Sequence, residues 1–371
     1  MVARIVVAAL AAASLAIIPS GGQGGGAAAA NGSVSDSLAA FAPRPDGRQH
    51  RLDYTAWSEA LAAFVLSMGP PLRKMPVIVQ GPMGTRIKIG HNSIYRLEGA
   101  MVGFSLIDRE VMVNIARYRR ELEDVADQVD IPSLPRNEQL AYWLNLHNVA
   151  MVEKIGENWP IHQPRELLID GVPLDEARFI SVAGEALSLR DIRERVVFAN
   201  WKNPAVIYGF WRGEIGGPAI QRAAFDGRSL SDQLDRAAHE FVNSRRGVER
   251  RGGTLHVSQL YAEAAPFYFT DFDADLRSHL ARYVEGKVAE MLAETSRIDT
   301  TLREHDIADT SGGRRNNAFF ANGRLDPGTT KLLDERRRKL DYIRRTQPRS
   351  GTVTFSNITL PGDPPNKGEV D

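Results

Sequence analysis

Two charged side chains, Arg212 and Glu214, stand inside "NPAVIYGFWRGEIGGPAI" (203–220), between a run of large apolar residues and the turn Gly216-Gly217-Pro218. A guanidinium keeps its charge at any working pH and recognises carboxylate or phosphate, while a neighbouring carboxylate can pair with it or take a proton. The apolar run followed by glycines reads as a buried strand entering a tight turn, or as the rim of a ligand site. Residues two apart on a strand share a face, so Arg212 and Glu214 would point together. A buried guanidinium without a partner is costly, so Arg212 must pair with a carboxylate such as Glu214 or reach solvent; Glu194 stands in "LSLRDIRERVVF". "YWLNLHNVAM" adds Asn145, His147 and Asn148. The two asparagines lie three apart on one helical face, and a buried amide needs partners. They either tie the helix to nearby loop backbone or orient a ligand. His147 is either a core histidine or a base. With Tyr208 these residues form the candidate pocket: Asn145, His147, Asn148, Glu194, Tyr208, Arg212 and Glu214. No residue is assigned as catalytic.

Other chemistries have little support. The chain has no cysteine, which excludes disulfides, thiolate metal sites, thiol nucleophiles and a lipid-bearing cysteine after a leader. There is no H-E-x-x-H or H-x-H, and the acidic trio Asp271, Asp273 and Asp275 lacks the glycine and terminal acid of a calcium loop. No G-x-S-x-G elbow, Walker loop or dinucleotide fingerprint is present. No metal and no cofactor are expected.

The positioning elements are mostly helices. Helical spacing of apolar residues marks 52–69, 112–127, 137–156, 186–201, 229–244 and 273–292. In the third of these Leu140, Leu144, His147, Met151 and Ile155 make one apolar stripe stopped by Gly156. Ser188 is placed to cap the fourth. Two to four short strands are expected in the glycine-rich stretch 74–107, and another at "TLHVSQLY". The expectation is an α+β, helix-rich main domain over 48–298 with a small antiparallel sheet.

The 371 residues carry zero formal net charge, 43% hydrophobic and 25% charged residues. A sizeable core is possible, and nothing draws the whole chain to nucleic acid. Residues 1–30 open with Arg4, an apolar run from Ile5 to Ile18, then small residues. This pattern reads as a signal peptide cleaved between about Gly22 and Ala30, the other reading being an uncleaved anchor. Residues 31–47 read as a disordered linker. The expected location is the periplasm or the extracellular space. Beyond 299 the pattern fades into an extension whose basic helix, with Arg336, Arg337 and Arg338, could make a weak contact with anionic envelope polymers or lipid. The partner is otherwise an unidentified protein or small molecule.

The ordered set "YWLNLHNVAM", "LSLRDI", "NPAVIYGF…GP", "LSDQLDRAAHEFVNS" and "LHVSQLY" resembles the domain of unknown function 547 (DUF547) family across about 137–270. The resemblance implies a domain often found in exported bacterial proteins and, in plants, behind coiled-coil segments, with no settled reaction and a frame related to papain-like and transglutaminase-like folds. It also implies reactive positions that this chain has lost. Where relatives carry a histidine and two cysteines stand Ile207, Arg212 and Gly217, and a further family histidine is replaced by Glu194, so the resemblance makes a salt bridge from Arg212 to Glu194 the alternative to one with Glu214. Cysteine–histidine chemistry needs a thiolate and a base in hydrogen-bond reach, and neither is supplied. Two functions follow: a non-catalytic binding or scaffold module on a degenerate frame, or an envelope hydrolase of amide or ester bonds using Glu194, Glu214 or His147 as base. A histidine and a carboxylate converging near Arg212 would favour the second.

Overall fold

One long helix sits at the centre because its sequence gives it no face to show to water. In the computed structural model, which describes residues 38–48, 50–73, 90–315 and 325–346, the helices in chain order are α1 (Thr55–Phe64), α2 (Arg109–Gln128), α3 (Arg136–Glu157), α4 (Leu230–Asn243), α5 (Leu260–Tyr268), α6 (Phe272–Ala281), α7 (Gly286–Ala293) and α8 (Pro327–Thr346). The central one is α3, where every residue from Glu138 to Glu153 is buried. The one-sided stripe expected from the sequence is therefore corrected: between Glu138 and Glu153 α3 is enclosed on all sides, polar side chains included. Its polar residues are bonded inward. Gln139 Nε2 donates to the carbonyls of Pro132 and Leu134 at 2.8 and 2.6 Å. Tyr142 donates to Leu122 O at 2.9 Å, and Glu153 pairs with Arg119 of α2. Gly156 does not stop the helix, which runs to Glu157. It makes room for Met112 of α2, whose Cε would lie 2.5 Å from an added Cβ.

The strands are short and scattered, as an α+β fold with little sheet requires. They are β1 (Val65–Ser67), β2 (Ala100–Val102), β3 (Leu168–Ile169), β4 (Val172–Pro173), β5 (Ile180–Val182), β6 (Glu185–Leu187), β7 (Val248–Arg251), β8 (Thr254–Ser258) and β9 (Arg297–Leu302). β1–β2, β3–β4 and β5–β6 are antiparallel pairs. The three-stranded sheet runs β7-β8-β9 and is mixed, since β8 is antiparallel to β7 and parallel to β9. Of the strands expected in 74–107, β2 is present; 74–89, like the leader and 31–37, lies outside the described residues.

Four local expectations change. Residues 203–220 hold no buried strand at their start: Pro204–Gly209 is a 3-10 helix, begun by Asn203 Oδ1 accepting from Ala205 N at 3.0 Å, with Pro204 in its first turn. The helix expected over 273–292 is two, α6 and α7, broken at 282–285. Asp271 of the acidic trio caps α6, accepting from Ala274 N at 3.2 Å. The linker expected as disordered is partly folded, because Leu38 and Phe41 are buried and Phe41 meets Trp143 edge-on at 5.1 Å. The cap on 186–201 is as read: Ser188 Oγ accepts from Asp191 N at 3.0 Å while Asp191 Oδ2 accepts from Ser188 N at 3.2 Å. The segment it starts is a π-helix over Asp191–Phe198.

The core extends past 298. Ile307, Ala308 and Leu332 belong to the same hydrophobic cluster as α3. Asp309 is fully buried, and its carboxylate accepts from Phe104 N, Trp159 Nε1, Ser311 N, Ser311 Oγ and Gly313 N. Burial pushes its pKa up, against the pull of those donors. The basic helix α8 lies on β1: Arg336 Nε donates to Ser67 O at 2.6 Å, and the buried Lys339 donates to Met68 O and Leu97 O at 3.0 and 2.6 Å. Arg337 and Arg338 face outward.

Candidate functional site

Three segments meet around a cleft of about 340 Å³. The first follows the 3-10 helix and carries Arg212, Glu214 and Gly216-Gly217-Pro218. The second is the end of β8 and the first turn of α5, with Ser258, Gln259 and Glu263. The third is the chain leaving β9, with Arg303, Glu304 and His305. Backbone pairing aligns the first with the third. Gly216 N donates to Glu304 O at 3.0 Å, Ile215 N to Asp306 O at 2.9 Å and Ala308 N to Gly213 O at 2.7 Å, with a bridge between Glu214 and Ile307. This pairing brings His305 onto Glu214, Nδ1 to Oε2 at 2.9 Å.

Arg212 does not pair with Glu194 or Glu214, which corrects the expected salt bridge. Its Nη2 lies 2.6 Å from Glu263 Oε1. Glu214 is turned to His305, and Glu194 faces Arg190 at 4.0 Å. Sequence spacing could not find Glu263, because α5 arrives from 51 residues away.

Glu263 begins a buried polar ladder. Its Oε1 also takes Arg193 Nε at 3.3 Å, and Arg193 grips Asp175 with two parallel bonds of 2.7 Å each. Arg193 Nη1 donates to His147 Nε2 at 3.2 Å, so His147 carries its proton on Nδ1 and donates it to Asn148 Oδ1 at 3.1 Å. Asn148 closes the ladder on backbone, accepting from Trp211 N at 3.0 Å and donating to Gly209 O at 2.9 Å. Gly209 must be glycine, since a Cβ there would sit 2.6 Å from Leu144 of α3. Asn145 does the same for another loop, with bonds to Phe225 O and N at 2.8 and 3.0 Å. Both asparagines therefore tie α3 to loop backbone.

The electrostatics follow from who faces whom. Burial pushes Glu263 up, but the Arg212 and Arg193 guanidiniums outweigh it and hold the carboxyl at about 2. Asp175 is likewise held well below the usual carboxylate range by Arg193 against the effect of burial. Burial and the charge of Arg193 keep His147 neutral, well below its ordinary value. Both its nitrogens are engaged, so it has no free base. Burial, then the nearby Glu263 charge, raise Glu194. Tyr208 lies elsewhere, its hydroxyl bonded to His279 Nε2 at 2.8 Å and Tyr261 at 3.1 Å.

Of the seven residues of the expected pocket, the cleft contains Arg212 and Glu214. His147 and Asn148 stand behind it in the ladder, while Asn145, Glu194 and Tyr208 belong to other contacts. Reasoning from the sequence missed Asp175, Arg193, Glu263 and His305. One signal was readable: Arg193 recurs at four-residue spacing with Leu189 and Val197, an arginine on an apolar helical face that had to find carboxylates. Among the described residues, no group of three or more His, Asp or Glu side chains is gathered to hold a metal ion, and no helix is long and apolar enough to cross a membrane.

Fold and site define a helix-rich α+β domain with a charged, thiol-free cleft. The model of the family described as "Protein of unknown function, DUF547" matches residues 131–242, and this segment is similar to that family. The matched span contains α3, the π-helix and the Arg212–Glu214 segment, but not Glu263 or His305. No curated protein and no solved structure matches the chain.

Proposed function

We propose that this protein is an exported DUF547-family module that binds a small polar ligand in the cleft and has given up thiol chemistry. One observation carries the reading: at a position where the resemblance places a cysteine stands Arg212, locked to Glu263 at 2.6 Å. An ion-paired guanidinium can recognise a ligand but cannot serve as a nucleophile. A degenerate papain- or transglutaminase-like frame fits the same reading. Catalysis by His147 or Glu194 as base has weaker support, since the first has both nitrogens bonded and the second lies outside the cleft lining.

Ligand-dependent melting of the mature protein tests this, with succinate as probe beside a cleft-filled variant. Gly217 lines the cleft, and a Cβ there would meet Arg212 Cβ at an ordinary 3.5 Å, so Gly217→Leu fills the space without backbone strain. Succinate should raise the melting temperature of the wild type, as any ligand selective for the folded state does, and leave the variant unmoved. An equal shift in both, or none in either, overturns the reading.

Export belongs to the same proposal. The charged start, short apolar run and small residues of 1–30 support it. Mass spectrometry of mature material should find an N-terminus between about Gly22 and Ser33, and intact Met1 would instead make the segment an anchor. A weak contact with anionic envelope surfaces would fall to the outward-facing Arg337 and Arg338.

A further inference from the structure

The cleft holds one pair of groups that binding alone does not use. His305 Nδ1 lies 2.9 Å from Glu214 Oε2, and both side chains line the cleft, 27% and 18% exposed. Glu214 accepts the Nδ1 proton, which leaves Nε2 as the basic nitrogen; it makes no hydrogen bond among the described residues. A histidine oriented by a carboxylate, with its second nitrogen open to a cleft, is the arrangement of a general base. Nothing in the fold demands the pair: the backbone pairing of 213–216 with 304–308 already joins the two segments. Arg303 stands beside it on the same cleft wall, exposed and without an ion pair among the described residues. Gly217 lines the same cleft, and the nearest atom to a Cβ added there is Arg212 Cβ at 3.5 Å.

We propose that His305, positioned by Glu214, activates water in this cleft to hydrolyse a small ester or amide that carries a carboxylate, the carboxylate meeting Arg303. The inference rests on the reading of the cleft as a binding site. His305 Nε2 takes a proton from water as the water oxygen bonds to the carbonyl carbon. The imidazolium, steadied by Glu214, then returns that proton to the leaving oxygen or nitrogen as its bond to the carbonyl carbon breaks. The products are a carboxylic acid and an alcohol or amine, with no other co-reactant. His305 is the catalytic residue; Glu214 is a positioning residue that acts through it.

The test uses the mature full chain with p-nitrophenyl acetate and p-nitrophenyl hemisuccinate, succinate binding being followed separately by melting. Wild type should release nitrophenolate from the hemisuccinate above the buffer rate. His305→Ala should lower kcat/KM about 100-fold or more, and added imidazole should restore part of it. Glu214→Gln should lower kcat about tenfold or more with KM little changed, a split that a purely structural pair would not give. Arg303→Ala should raise KM for the hemisuccinate about tenfold, the loss of one charge-assisted contact, and leave the acetate unaffected. Each variant must keep the wild-type melting temperature within a few degrees; His305→Gln serves as second variant where Ala does not. Succinate binding without turnover, or equal turnover by wild type and His305→Ala, overturns the acid–base proposal while leaving the binding reading intact. Absence of succinate binding strikes the binding reading instead.

Discussion

Arg193 is the residue on which the polar interior turns. Its side chain is 1% exposed and touches Asp175, Glu263 and His147. Removing one partner from such a set strands the others, so Arg193→Met should destabilise by about 3–5 kcal/mol in urea unfolding. Arg212 and Glu263 should be coupled. Arg212→Met and Glu263→Gln each destabilise, the second more because Glu263 also holds Arg193, and the double mutant should recover about 0.5–3 kcal/mol of the sum. Strict additivity would leave Arg212 an ordinary residue. Glu263 also sets an acid limb. Its pKa falls from 4.5 to about 2 on folding. The stabilisation is therefore complete above about pH 4.5 and is lost as pH falls toward about 2. Melting of the wild type should steepen over that window, and Glu263→Gln should flatten it.

At the scale of elements, α3 and the π-helix do the positioning. The π-helix places Arg193 fully inside, with Glu194 half-buried beside it, and π-helical turns are frequent at functional sites. From α3, Asn145 and Asn148 each hold one loop by a pair of backbone bonds. Asn145→Ala or Asn148→Ala would leave buried backbone groups unpaired, costing about 1–3 kcal/mol each. Asn148→Ala should lower the urea midpoint more than it weakens succinate binding. Unchanged stability with lost binding would make the amide a ligand contact instead.

Across the whole molecule, the segment beyond 298 closes both core and cleft. β9 pairs with β8, His305 meets Glu214, and Asp309 gathers five donors from four residues. A chain of residues 48–298 would expose those surfaces and should show no cooperative melt by circular dichroism, whereas 38–346 should melt cooperatively. Equal cooperativity in both would make the extension dispensable. The helices themselves were legible in the sequence: period, caps and breakers gave α2, α3, α4 and the Ser188 cap, because these depend on neighbours within a few residues. The strand expected at 204–209 failed because the capping Asn203 and Pro204 outweighed apolar content.

The sequence alone determined that no thiol is present, that α3 carries buried amides and that the chain is DUF547-like and α+β. The thiol, the amides and the fold class are matters of residue type or of periods of two to four residues, while the family likeness rests on motifs that resemble the family's in their order. Only the tertiary structure decided the ion pairs. Arg212 found Glu263 rather than Glu194 or Glu214, and Glu214 found His305, across separations of 51 and 91 residues. A buried charge demands a partner but does not say which one; the packing of α5 and of the chain after β9 against the Arg212 segment makes that choice.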